Sequence, residues 1–168
     1  KSIYKFIIDH NIEKSLILED DVYVEKNIDL NLKSIVSELP KNWDLLYMGH
    51  NGKEYSFDTK AKMKYYLHEI LYRMNLKKYN PETFRNYFHR PYSENLFLAG
   101  SHWGTHAYAV SKQGANKLLK YHRPVTREAD NLLAELCQHK LINAFSIKKH
   151  IFFQNKDFNS TIVGLNSN

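Results

Sequence analysis

Three consecutive carboxylates, Glu19-Asp20-Asp21, follow directly on the apolar run Leu16-Ile17-Leu18. Adjacent carboxylates repel one another, so water or a cation has to compensate their charge. Magnesium and manganese favour carboxylate oxygen and water, and they commonly bridge to phosphate oxygens. One reading of the triplet is therefore a divalent metal site that holds a phosphorylated ligand. The other is an acidic turn with solvated side chains, and a motif this short leaves both open.

Ser15 to Leu18 reads as a strand buried on both faces, with the acids where the chain leaves the sheet. In open α/β sheets ligands bind outside the carboxyl ends of the strands. Before it, Ser2–Asn11 places Ile3, Phe6 and Ile7 at helical spacing, with Tyr4 and Ile8 alongside. After it, Ile28, Leu32, Ile35, Val36 and Leu39 recur at the helical period up to Pro40. Trp43 to Gly49 then reads as a second buried strand. The order helix, strand, helix, strand predicts parallel pairing in an α/β sheet.

Residues 50–95 differ in character. They hold seven of the twelve tyrosines, so this stretch reads either as a helical insertion or lid on the sheet edge, or as a platform for sugar rings. Lys62–Lys78 is predicted helical, with Leu67, Ile70, Leu71 and Met74 as its apolar stripe. Asn80-Pro81 is a helix start, with Asn as cap and Pro at the first turn. Further on, Gly100, His102, Trp103, Gly104 and His106 cluster just before a strand over Thr105–Val110. Ser111 caps the next helix, and Ala129–His139 forms another. Ala144–Ile147 and His150–Phe153 read as short strands, and residues 155–168 as an irregular tail.

A chain of 168 residues, 43% hydrophobic and 25% charged, suits one soluble domain with its own core. No apolar run approaches the roughly 18 residues that cross a bilayer. Residues 1–15 carry no secretory h-region. The single Cys137 excludes an internal disulfide framework, suits a reducing compartment, and sits in an apolar helical pattern where an inert thiol is expected. The net charge of +6 is unevenly placed. Eight Lys or Arg against two Glu lie between Lys60 and Arg90, a balance that can face an anionic lipid head group, a phosphorylated glycan or nucleic acid. No nucleic-acid motif accompanies it, so nucleic acid is not expected as a partner. The Lys- and Asn-rich composition fits an AT-rich genome, bacterial or viral.

The sequence resembles the family 25 glycosyltransferases, of the lipopolysaccharide-biosynthesis and procollagen galactosyltransferase type. The pieces that carry the resemblance are Leu18-Glu19-Asp20-Asp21-Val22, Trp43 to Gly49, and Gly104-Thr105-His106-Ala107-Tyr108 with Ser111-Lys112-Gln113-Gly114-Ala115. Pro124 with Asp130, then Gln154 with Ser160-Thr161-Ile162, complete the ordered set. The resemblance implies a GT-A-like, Rossmann-type mixed α/β sheet flanked by helices. It implies a single domain over 1–168, with residues 50–95 as the insertion. It also implies a preceding N-terminal segment that helps to hold the nucleotide base and is absent from the sequence.

The activity implied is inverting transfer of a hexose, galactose or glucose, from a UDP-sugar to a glycan, a lipooligosaccharide or a collagen-like hydroxylysine. The cofactor implied is Mn²⁺ or Mg²⁺. Asp21 is expected as the direct ligand, with Glu19 behind it; in an extended segment the two share a face and Asp20 turns away. His150 is the further ligand candidate, with His106 as runner-up. Asp130, or its neighbour Glu128, is the candidate base. Trp103, Gly104, Thr105, His106 and Gln154, together with Asp20, are expected to line the donor and acceptor pocket. A carbohydrate- or partner-binding module of the same fold, without catalysis, is the alternative. The expected location is cytoplasmic, at the inner face of a membrane, or in the host cell for a viral protein.

Overall fold

The computed structural model describes residues 3–24, 32–51, 55–121 and 129–155. Its centre is β3 (Leu45–His50), all six residues of which are buried. Side chains alternate across a strand, so β3 feeds two cores at once. Leu45 and Tyr47 enter one, with Val110, Leu118, Leu133 and Leu136. Leu46 and Met48 enter the other, with Trp43, Phe145, Ile147 and Phe152. The continuous apolar run in the sequence is the consequence of being covered on both sides.

Around β3 lie β1 (Lys14–Leu18), β4 (Arg90–Pro91), β5 (Leu96–Leu98), β6 (Thr105–Ser111) and β7 (Ala144–Ile147), in the order β1-β6-β3-β7-β5-β4. β3 runs parallel to β7 and antiparallel to β6, and β6 is antiparallel to β1. The result is a mixed, Rossmann-like sheet flanked by helices. β1 and β3 share a direction but do not touch, because β6 lies between them. The parallel pairing expected for these two strands is therefore absent.

β1 is also not doubly buried. It is an edge strand with alternating exposure, and Leu16 and Leu18 are 50% and 46% exposed. Only one of its faces is covered: Ile17 packs against the core beneath α1 (Ile3–Asp9) and α5 (Lys112–Tyr121). On α1 the buried residues are Tyr4 and Ile7, while Ile3 and Phe6 face outward. α5 starts as expected: Ser111 Oγ accepts from the Gly114 N–H at 3.0 Å and donates to the Trp43 carbonyl at 2.8 Å.

An ion pair between a buried acid and a half-buried lysine locks the N-terminal end of β3. Asp44 is fully buried, accepts the Asn143 N–H at 2.7 Å and meets Lys117 Nζ at 2.5 Å. α2 (Leu32–Ser37) covers the lower core with Ile35. The rest of the predicted 28–39 helix toward its start lies outside the described residues. Residues 50–95 contain α3 (Thr59–Arg73) and α4 (Pro81–Arg85). Asn80 caps α4 and Asp58 caps α3. This segment also supplies β4, whose pairing with β5 was not foreseen, since the runs are only two and three residues long. Aromatic rings fasten it from beneath, in contacts that run Tyr65–Phe57–Phe88–Tyr87–Trp103. α6 (Ala129–Gln138) closes the upper core. β2 (Val22–Val24) and β8 (Phe152–Gln154) form a separate antiparallel ribbon. Among the described residues no helix is long and apolar enough to cross a membrane.

Candidate functional site

The site lies where β1 and β3 end and β6 begins. Glu19, Asp20 and Asp21 form the tight turn from β1 into β2, rather than an extended segment. The predicted alternation of faces therefore does not apply, and hydrogen bonds fix the acids instead. The Glu19 N–H donates to the His106 carbonyl at 2.9 Å, and the Asn155 N–H donates to the Asp21 carbonyl at 2.9 Å. Gln154 Nε2 donates to Asp21 Oδ2 at 2.8 Å, and Asn51 Nδ2 donates in turn to Gln154 Oε1. Gln154 is thus held at both ends, and it holds one oxygen of Asp21. The other oxygen, Oδ1, is buried and accepts no hydrogen bond.

Opposite this turn, Gly104 adopts φ +64° and lets the chain fold against Asn51, whose N–H donates to the Gly104 carbonyl at 3.0 Å. Thr105 follows, and its N–H donates to Asp130 Oδ2 at 3.2 Å. Asp130 stands in the first turn of α6, where a carboxylate is favoured by the helix dipole. Three carboxylates, two from the acidic turn and one from α6, therefore share one field. Glu19 registers it: partial burial first, then the charges of Asp130 and Asp21, push its carboxyl above the usual range, with His106 opposing.

His106 is buried, with Nδ1 3.2 Å from the Gly104 carbonyl and Nε2 3.0 Å from the Phe152 carbonyl. Through Nε2 the ring braces β6 against β8, while Nδ1 faces the carbonyl of the residue just before β6. Gly49 makes room for it, since a Cβ there would stand 2.5 Å from Nε2. His150 lies against the His50 ring, centroids 4.4 Å apart, and His50 lies 4.2 Å from His102. His50 and His102 are buried beside Tyr47, and the half-buried His150 ends the row. Among the described residues no three of His, Cys, Asp and Glu are grouped to hold an ion on their own.

The structure thus brings together Glu19, Asp21, Gly104, Thr105, His106, Asp130 and Gln154. Asp20 is exposed on the turn. Trp103 is half-buried against Tyr87, 5.7 Å between centroids. Tyr108 is a core residue, its hydroxyl 2.9 Å from that of Tyr4. Glu128 lies outside the described residues. Sequence reasoning missed Asn51 and His50. Their position at and just past the carboxyl end of a buried strand was the available signal.

The sheet, its flanking helices and an acidic turn at the strand ends define a Rossmann-like architecture of the kind glycosyltransferases use. Residues 1–133 match the family described as glycosyltransferase family 25 (LPS biosynthesis protein), and the chain belongs to it. It is also similar to procollagen galactosyltransferase 2 of Mus musculus, with 29% identity over 121 residues. That alignment covers 70% of this chain and 15% of the relative, so the chain spans a small part of the relative's length.

Proposed function

We propose that this chain is a hexosyltransferase, moving galactose or glucose from a UDP-sugar to a hydroxyl of a glycan or a collagen-like acceptor, with inversion. The observation that carries the reading is the Asp21 carboxylate, with one oxygen fixed by Gln154 and the other buried with no hydrogen-bond partner. A buried oxygen of that kind is costly unless something fills its coordination. It fits Mn²⁺ or Mg²⁺, which commonly bind through one or two carboxylates and complete their shell with water and substrate phosphates. Held by Asp21, such an ion would supply charge neutralisation to a departing nucleoside diphosphate.

The remaining residues have defined tasks. Gln154 and Asn51 orient Asp21, as outer-shell partners of metal-binding carboxylates do. Glu19, carrying a raised carboxyl, adds an acceptor toward water or the donor ribose. Asp130 is the group in the site suited to take the proton of the acceptor hydroxyl, held in place by the Thr105 N–H. Trp103 and Tyr87 offer rings on which a sugar stacks.

The test is calorimetry with UDP and Mn²⁺, alongside turnover of UDP-galactose and UDP-glucose. Asp21→Asn should lower metal-dependent turnover by about 100-fold or more. Retention of full activity would sink the assignment. Absence of any metal-dependent heat in the unsubstituted chain would favour a carbohydrate- or partner-binding module on the same fold.

A further inference from the structure

Of the predicted stripe Leu67, Ile70, Leu71 and Met74, Leu71 is half-buried while the other three face outward, where Met63 and Tyr66 extend them. Met63, Tyr66, Leu67, Ile70 and Met74 are 56% to 70% exposed. They recur at i, i+3, i+4, i+7 and i+11, one continuous stripe on a helix. The opposite side is the one that docks. Ala61 is buried, Tyr65 Oη donates to Glu82 Oε1 at 2.6 Å, and the His68 ring sits 5.2 Å from Phe84. Apolar residues thus lie on both faces of α3, and exposure, rather than periodicity, distinguishes the outward one.

The basic residues are placed around that stripe. At 100° per residue, Lys60 and Lys64 fall along one flank, and Lys62 and Arg73 along the other. Residues 59–78 hold six cations, with Lys77 and Lys78, against the single acid Glu69, which pairs with Arg73 at 2.5 Å. The lysines of α3 are exposed.

We propose that α3 is an interfacial helix that seats this chain on an anionic lipid surface. An apolar stripe between basic flanks matches both layers of such a surface. The stripe enters the boundary of the acyl chains, and the lysines stay among the phosphates. Tyr66, with its apolar ring and polar tip, suits the level between them. A second copy docking by the same face would bring two sets of these cations together, which like-charge repulsion opposes. Nucleic acid would satisfy the cations and leave Met63, Leu67, Ile70 and Met74 against water.

The experiment is co-sedimentation with phosphatidylcholine vesicles, with and without phosphatidylglycerol, over a range of salt. The expected result is binding that requires phosphatidylglycerol and weakens as salt rises. The exposed pair Leu67→Ser and Ile70→Ser should reduce the partition coefficient at least about tenfold. Each of Lys60→Gln, Lys62→Gln and Lys64→Gln should reduce it about fivefold. Circular dichroism of each variant establishes that the fold is retained, since none of these side chains is buried. Binding that ignores phosphatidylglycerol, or that persists in the Ser pair, overturns the proposal. So does a concentration-dependent dimer that the Ser pair abolishes, which would assign the face to a second copy. The lipid readout uses neither donor nor metal, so its failure is separable from failure of the hexosyltransferase reading.

Discussion

Gly49→Ala adds one methyl group at the tightest point of the site. Its carbon would stand 2.5 Å from His106 Nε2, 2.8 Å from His106 Cδ2 and 2.5 Å from the Phe152 carbonyl oxygen. Ordinary contact begins near 3.4 Å, so ring and carbonyl must each give way by about 0.9 Å. Neither has room. The ring is wedged between the Gly104 and Phe152 carbonyls, and Phe152 belongs to the backbone of β8. Overpacking of this kind costs about 1–3 kcal/mol, and loss of the His106–Phe152 hydrogen bond adds about 1 kcal/mol. A total of about 3 kcal/mol corresponds to a Tm lowered by about 6–12 °C for a chain of this size. Thermal melts read it directly. His106→Ala in the same chain removes one of the two obstacles, so the double variant should lose less than the two single losses added. A Gly49→Ala protein that melts within about 2 °C of the unsubstituted chain would refute the packing described for β3, β6 and β8.

Two further outcomes follow from the charges and the core. Glu19 has its carboxyl raised by burial and by Asp130 and Asp21, so folding favours its protonated form, and its charge opposes folding once pH rises above the carboxylate range. Glu19→Gln should therefore raise Tm slightly at neutral pH, by about 1 °C given solvent screening, with the gain vanishing in acid; a Tm lowered at neutral pH contradicts the shared acidic field. Cys137 is buried and its thiol is pushed up to about 12 by that burial, with Tyr47 opposing. Its stabilising contribution is complete below the unfolded value of about 8.5 and is lost as pH climbs toward the folded one. The native thiol should resist a disulfide reagent at pH 8 and react at once in denaturant; rapid native labelling contradicts this.

The sequence made β3, β6, α5 and α6 readable because each has a strong local signature. β3 is apolar throughout, Ser111 is a cap with its helix behind it, and Asp130 opens a helical period. What local pattern does not carry is the neighbour. Leu16-Ile17-Leu18 is as apolar as a central strand, yet it lies on the edge, because topology places β6 beside it and no further strand beyond among the described residues. The α3 stripe has a helical period, and period alone does not say whether a core or solvent faces it. The acids were legible as a group, and their binding to Gln154 was not, since that pairing spans 133 positions. Asn51 shows the same limit: its place past the end of β3 marks it, but its partners Gly104 and Gln154 are distant in sequence.

That long span has a temporal side. The acidic turn leaves the ribosome 133 residues ahead of Gln154. At ordinary elongation speeds the interval is on the order of ten seconds. Throughout it, Asp21 lacks the amide that orients it, and His106 lacks the carbonyl of Phe152. The acidic turn therefore waits for β8, and the pocket is assembled only once that strand has been made. A nascent chain stalled before residue 152 would carry the whole stretch that matches the family and still lack the strand that orients Asp21.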